Sequence, residues 1–157
     1  MLFPTHLVAG AVLGAYTRLS VAWLVVGAAL PDLLDKPLAT LGVTTLYHTV
    51  GHSALFGVVV LAAAFVDRAA VAVAVGWVSH VLLDAAHVVV NGRPLDALFL
   101  LWPVAVPPAP LALAPIPFVQ QYLWSPSFLL EVGIWLGAGV VLVRRRRAYR
   151  SRPESGR

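Results

Sequence analysis

The chain has 157 residues, 60% of them hydrophobic and only 11% charged, with a mean hydropathy of +0.86. An ordinary soluble domain carries about 25% charged residues, so the composition points to an all-α, polytopic membrane protein. A β-barrel is excluded, because it needs alternating segments of about ten residues and none occur. The net charge of +4 is concentrated at the C-terminus, and the absence of cysteine excludes disulfides and thiolate metal sites, leaving histidine and carboxylate as the metal ligands on offer.

The start, MLFPTHLVAG, has no basic stretch and no cleavage pattern, and reads as part of the fold rather than as a signal peptide. Residues 3–16 form a first helical segment and residues 21–30 a second, stopped by Pro31. Both are short, and together they suggest a helical hairpin dipping into the membrane. Gly10, Gly14 and Gly27, with Ala9, Ala11 and Ala15, permit close packing there. Residues 31–47 read as a polar-punctuated loop between Pro31 and Pro37, holding Asp32, Asp35 and Lys36. A third helix is expected over 48–66 and a fourth over 69–90, ended by Asn91, Gly92, Arg93 and Pro94. Residues 104–117 are too rich in proline for a regular helix and suggest a re-entrant or irregular stretch. Phe118, Tyr122 and Trp124 suit a headgroup belt. The last helix is expected over 128–143, with Glu131 near its start. The reading is thus about five to six membrane segments in one helical domain, 1–147, followed by a basic and disordered tail, 148–157.

The tail carries Arg144 to Arg147, Arg150, Arg152 and Arg157. A positive-inside anchor explains it without any specific nucleic-acid partner, and puts the tail in the cytoplasm of a cell-membrane protein. Counting back from there, with the proline-rich stretch allowed to cross, the N-terminus, the 31–47 loop and the Asn91 turn share the cytoplasmic side, and Arg18 and Arg68 face outside. If that stretch does not cross, the same groups stay together but face the other way.

The fourth helix carries His80, Asp84 and His87 on one stripe, within about 60° of arc. An aspartate at the bilayer centre costs on the order of 2.5–3.5 kcal/mol, and no lysine or arginine lies at matching depth. A bound cation is then the natural compensation, with a protonated carboxyl or a proton relay as the alternatives. His48 and His52, four apart, share a helix face as in helical zinc motifs, although the intervening TVG lacks the glutamate of an HExxH protease. Asp32 and Asp35 serve either as helix caps or as metal ligands. All five histidines, with Asp32, Asp35 and Asp84, fall at or near one face of the membrane. Such mixed N/O ligation suits zinc, or manganese or iron, in one or two ions.

The order THLVAG, PDLLDK, HTVGHS, SHVLLD, then a glycine turn leading to LLWP, resembles the YdjM-like (DUF457) family of membrane-bound predicted metal-dependent hydrolases. The resemblance covers residues 1–103. It implies that His6, Asp32, His52, His80 and Asp84 hold the metal. His48 departs from the family's spacing and His87 lies outside its pattern, so His48, Asp35 and His87 are left as catalytic base or orienting groups. The HxxxD element is similar in kind to that of helical zinc-dependent phospholipases C, which implies phosphoester chemistry on a lipid-like substrate at the membrane face. The rival expectations are a membrane protein that handles metal ions or protons without turnover, and an interaction protein that recruits a partner through its arginine tail.

Overall fold

The computed structural model describes residues 1–111, 113 and 115–150, and these are all helix and connection. In chain order they form α1 (Phe3–Tyr16), α2 (Val21–Thr40), α3 (Ala54–Ala63), α4 (Arg68–Val90), a 3₁₀ helix (Pro94–Leu101), α5 (Pro115–Tyr122) and α6 (Pro126–Arg150). Two helical segments, Arg68–Val90 and Pro126–Arg147, are long and apolar enough to cross a membrane, and Ala54–Ala63 is a shorter apolar helix. The expectation of a disordered tail over 148–157 is corrected for residues 148–150, which continue α6 to Arg150; from Ser151 onward it lies outside the described residues.

Two segments differ from what the sequence suggests. Pro31 does not stop the second helix: α2 runs through both Pro31 and Pro37. An interior proline costs about 3 kcal/mol and frees the carbonyl four residues back. Packing offsets that cost, since Leu24, Ala28, Ala29, Pro31 and Asp35 are all buried in this helix. Conversely, His48 and His52 do not stand on a helix. α3 begins only at Ala54, where Ser53 caps it by accepting the Phe56 N–H at 3.1 Å. The 48–53 stretch stays coiled because its backbone bonds outward. Thr49 and Gly51 donate to Asp35 at 2.6 and 2.9 Å, and the Trp77 indole donates to the Gly51 carbonyl at 2.8 Å.

The centre of the fold is the contact between α2 and α4. A Cβ on Gly27 would lie 2.0 Å from the Val73 carbonyl oxygen, and one on Gly76 would lie 2.1 Å from that of Leu24. The two backbones therefore touch, with glycine required on each side. Trp77, Val81, Val60, Ala74 and Phe99 form the apolar core beside this crossing.

The chain sorts into two ends. At one lie the start of α1, the end of α2, the 41–53 loop, the end of α4 and the 3₁₀ helix. The proline-rich stretch also stays at this end. Arg93 donates to the Ala109 carbonyl at 2.6 Å, and Pro107, Pro110 and Leu111 line a cavity with Asp84 and His87. The count in which that stretch crosses the molecule is therefore corrected. α6 starts at this end too. Its buried Glu131 accepts from the Thr5 and Tyr122 hydroxyls and, at 3.4 Å, from the Leu2 N–H, while Trp135 donates to Thr5 Oγ1 at 2.9 Å. α6 then runs parallel to α1, and Arg145 reaches the Ala15 carbonyl at the opposite end.

Glu131 thus docks both α5 and α6 onto the start of α1. Its replacement by alanine strands the buried Thr5 hydroxyl as a donor, an orphan costing about 1–3 kcal/mol, and leaves Tyr122 only its bond to the Ser127 carbonyl at 3.2 Å. Glu131→Ala should lower the thermal unfolding midpoint of the detergent-solubilised protein well below that of Leu136→Ala, an exposed position on the same helix. Equal midpoints would mean that the network carries no stability.

Candidate metal centre

Each residue of the cluster comes from a different part of this packing. His6 is supplied by the first turn of α1 and is buried. Asp32 and Asp35 come from the last turns of α2, beyond Pro31. His48 and His52 come from the coiled stretch before α3, and His80 and Asp84 from α4, one turn apart and both buried. Asp35 fixes His52: its Oδ2 lies 2.7 Å from His52 Nδ1 while its carboxylate also takes the two loop N–H groups. His80 is fixed by the α2–α4 contact, because its Nδ1 lies 2.6 Å from the Ala28 carbonyl. That carbonyl is an acceptor only, so His80 Nδ1 carries the proton and its Nε2 presents a lone pair.

The consequence is a specific electrostatic misfit. His52 Nε2 and His80 Nε2 face each other at 3.1 Å. With both Nδ1 atoms donating, two lone pairs would meet unless a proton or a cation stands between them. Burial opposes protonation of His52, but its bonds to Asp35 and Asp84 outweigh that and raise its pKa to about 9.

Two carboxylates flank these nitrogens. Asp84 Oδ2 lies 3.4 Å from His52 Nε2 and 3.2 Å from His80 Nε2, and Asp32 Oδ1 lies 3.7 and 3.8 Å from the same two atoms. Tetrahedral zinc with bonds of 2.0–2.1 Å has ligand–ligand edges of about 3.3 Å; the edges among His52, His80 and Asp84 match that spacing, and those to Asp32 are longer. On the other side of Asp84, Oδ1 lies 3.2 Å from His6 Nε2 and 2.8 Å from the Met1 amine, and His48 Nε2 lies 3.5 Å from Oδ2. His6 stacks on His80 with ring centres 3.7 Å apart, and both its ring nitrogens are buried without a hydrogen-bond partner. Three overlapping groups, His6–His80–Asp84, Asp32–His52–His80 and His48–His52–Asp84, have ligand atoms close enough to hold an ion.

Not every residue expected at the site plays the same part. Asp35 is buried behind His52 and engaged by three donors, so it positions that imidazole rather than reaching a substrate. His87 stands apart from the cluster, on the cavity wall near Phe118 and Tyr122, with ring centres at 6.0 and 5.3 Å. Bases do lie at matching depth: the Met1 amine stands against Asp84 Oδ1, and Lys36 donates to Asp32 Oδ2 at 2.5 Å. Its signal was the i,i+4 spacing to Asp32, which has meaning only on a continuous helix.

The cavity, of about 350 Å³, leads outward from the cluster. Asp32, His48, Asp84 and His87 form its polar inner part, Lys36 and Arg93 add positive charge, and its walls include Phe3, Val88, Phe99 and Val119.

The role of Asp35 has a direct check. Asp35→Asn removes the charge that orients His52, and such outer contacts typically contribute about 10–100-fold to metal affinity. Zinc titration of the purified variant should show a loss in that range with helical content unchanged. Affinity equal to wild type would remove Asp35 from the design of the site.

No family model, curated protein or solved structure matches the chain, so the reading of the centre stands on its own geometry.

Proposed function

We propose that the chain is a cell-membrane protein whose His/Asp cluster holds one or two divalent ions, most simply zinc, and hydrolyses a phosphoester or lipid-like substrate at the membrane face. The observation that carries this reading is the pair of buried imidazole nitrogens turned toward each other at 3.1 Å, each fixed from behind. The resemblance to the YdjM-like family selects the same residues, and α4 and α6 supply the spans. The shorter helices complete the embedded bundle, toward the five to six segments that the sequence suggests.

His6, Asp32, His52, His80 and Asp84 would hold the metal. A divalent ion in such a place supplies a Lewis acid and makes water a competent nucleophile near neutral pH. The two oxygens of Asp84 point to different neighbours, His6 and the Met1 amine on one side and His48, His52 and His80 on the other, so this one carboxylate reaches both halves of the cluster. His48 is partly exposed and faces the cavity, where it can take a proton from attacking water. His87, further along the same wall, is placed to meet a leaving group. The apolar walls fit an acyl chain, and Lys36 and Arg93, each beside an aspartate, are the bases nearest to where a phosphoester would lie.

One observation favours an alternative, a metal- or proton-handling protein without turnover. The imidazoles of His48, His52, His80 and His6 form an unbroken series, with successive ring centres 4.5, 5.0 and 3.7 Å apart. Elemental analysis of purified wild type should find stoichiometric metal, lost in His80→Ala and Asp84→Ala. Metal-free wild type would sink the hydrolase and leave only proton handling. On a panel of phosphoesters the wild type should turn over substrate, and His48→Ala should keep its metal while losing about a hundredfold or more in kcat. Metal without turnover on any substrate leaves the handling role.

A further inference from the structure

The two ends of the molecule differ sharply in charge. At the end opposite the cluster lie Arg18 in the α1–α2 turn, Arg68 at the start of α4, and Arg144 to Arg147 in the last turns of α6, all exposed. These positions are grouped by the helix directions. His80 and Asp84 are 12 and 16 residues beyond Arg68 on α4, about 18 and 24 Å along the axis. Glu131, docked at Thr5, is separated from Arg147 by about 24 Å in the same way. Arg145, bonded to the Ala15 carbonyl, ties the α6 arginines to the end of α1, beside Arg18. Asp67 is the sole acid at this end among the described residues. The cluster end has the reverse balance: Asp32, Asp35, Asp84, Asp96 and Glu131 against Lys36 and Arg93, and each of these two bases is paired with an aspartate.

With the proline-rich stretch counted as crossing, Arg18 and Arg68 would oppose the tail. With that stretch held at the cluster end, all these arginines fall on one side. Basic residues in short connections and near the ends of spans are retained in the cytoplasm. Each lysine or arginine near an anionic leaflet adds on the order of 1 kcal/mol of attraction.

We propose that the arginine end forms a collar on the anionic phospholipid headgroups of the cytoplasmic leaflet, and that the His/Asp cavity opens on the opposite face of the membrane. This rests on the membrane reading given above but not on catalysis. It places the substrate and the metal supply outside the cytoplasm, and it makes the collar a binding surface separate from the site.

The absence of cysteine makes the test clean. Single cysteines are placed at exposed positions of each end: Leu41→Cys and Val43→Cys beside the cluster, Ser20→Cys and Val66→Cys at the arginine end. Intact cells expressing each full-length variant are treated with a membrane-impermeant maleimide, and labelling is compared with that after lysis. Leu41→Cys and Val43→Cys should label in intact cells, and Ser20→Cys and Val66→Cys only after lysis. The reverse pattern, or equal labelling at both ends, overturns the assignment. Carbonate extraction of the same membranes is run alongside: a chain released into the soluble fraction defeats the membrane reading itself, whereas a retained chain with the reverse pattern defeats only the sidedness. Replacing Arg144 to Arg147 by glutamine should give mixed labelling at both ends. An unchanged pattern would show that the collar does not set the orientation.

Discussion

The arrangement depends on the contact between the α2 and α4 backbones. Gly27 and Gly76 let the two helices touch, and that contact brings the Ala28 carbonyl to the Nδ1 of His80. A side chain at either glycine would push the helices apart by more than the length of a hydrogen bond can absorb. His80 would then lose its fixed tautomer, and Asp32 would move away from Asp84. The chemistry of the centre thus rests on a packing contact made by residues without side chains. Asp35 plays the matching part for the coiled stretch, since one carboxylate fixes two backbone N–H groups and one imidazole.

Much of this was legible in the sequence, for reasons that differ from residue to residue. His80 and Asp84 announced themselves because ionisable groups in a long apolar helix are rare and need partners. The helix ends at Tyr16 and Val90 followed from turn residues that break a hydrophobic run. Pro31 misled, because local preference says that a proline ends a helix while burial of the flanking turns decided otherwise. A helix that stops there leaves Lys36 in a loop and hides its pairing with Asp32. His48 and His52 misled in the opposite sense: their spacing fits a helix, but side chains from α2 and α4 took the backbone bonds that a helix would need. Glu131 is the partner that no local pattern could supply, since Thr5 is 126 residues away in sequence.

The separation of charge gives the molecule an electrical direction. The α4 and α6 axes run in opposite senses between the two ends, so their helix dipoles oppose each other and contribute little net field. The asymmetry comes from side chains alone, with arginines collected at one end and carboxylates at the other. The cluster end holds more carboxylates than bases, a balance that favours cations over anions there.

The proline-rich wall has a further consequence. Pro107 and Pro110 face the cavity from a stretch of irregular backbone. Ordinary backbone in such a place would turn unpaired N–H groups toward an apolar space, at a cost for each. Proline has no N–H to leave unpaired. The cavity can therefore be bounded on this side by a segment that is neither helix nor sheet, with fewer N–H groups to satisfy than any other residue type would bring.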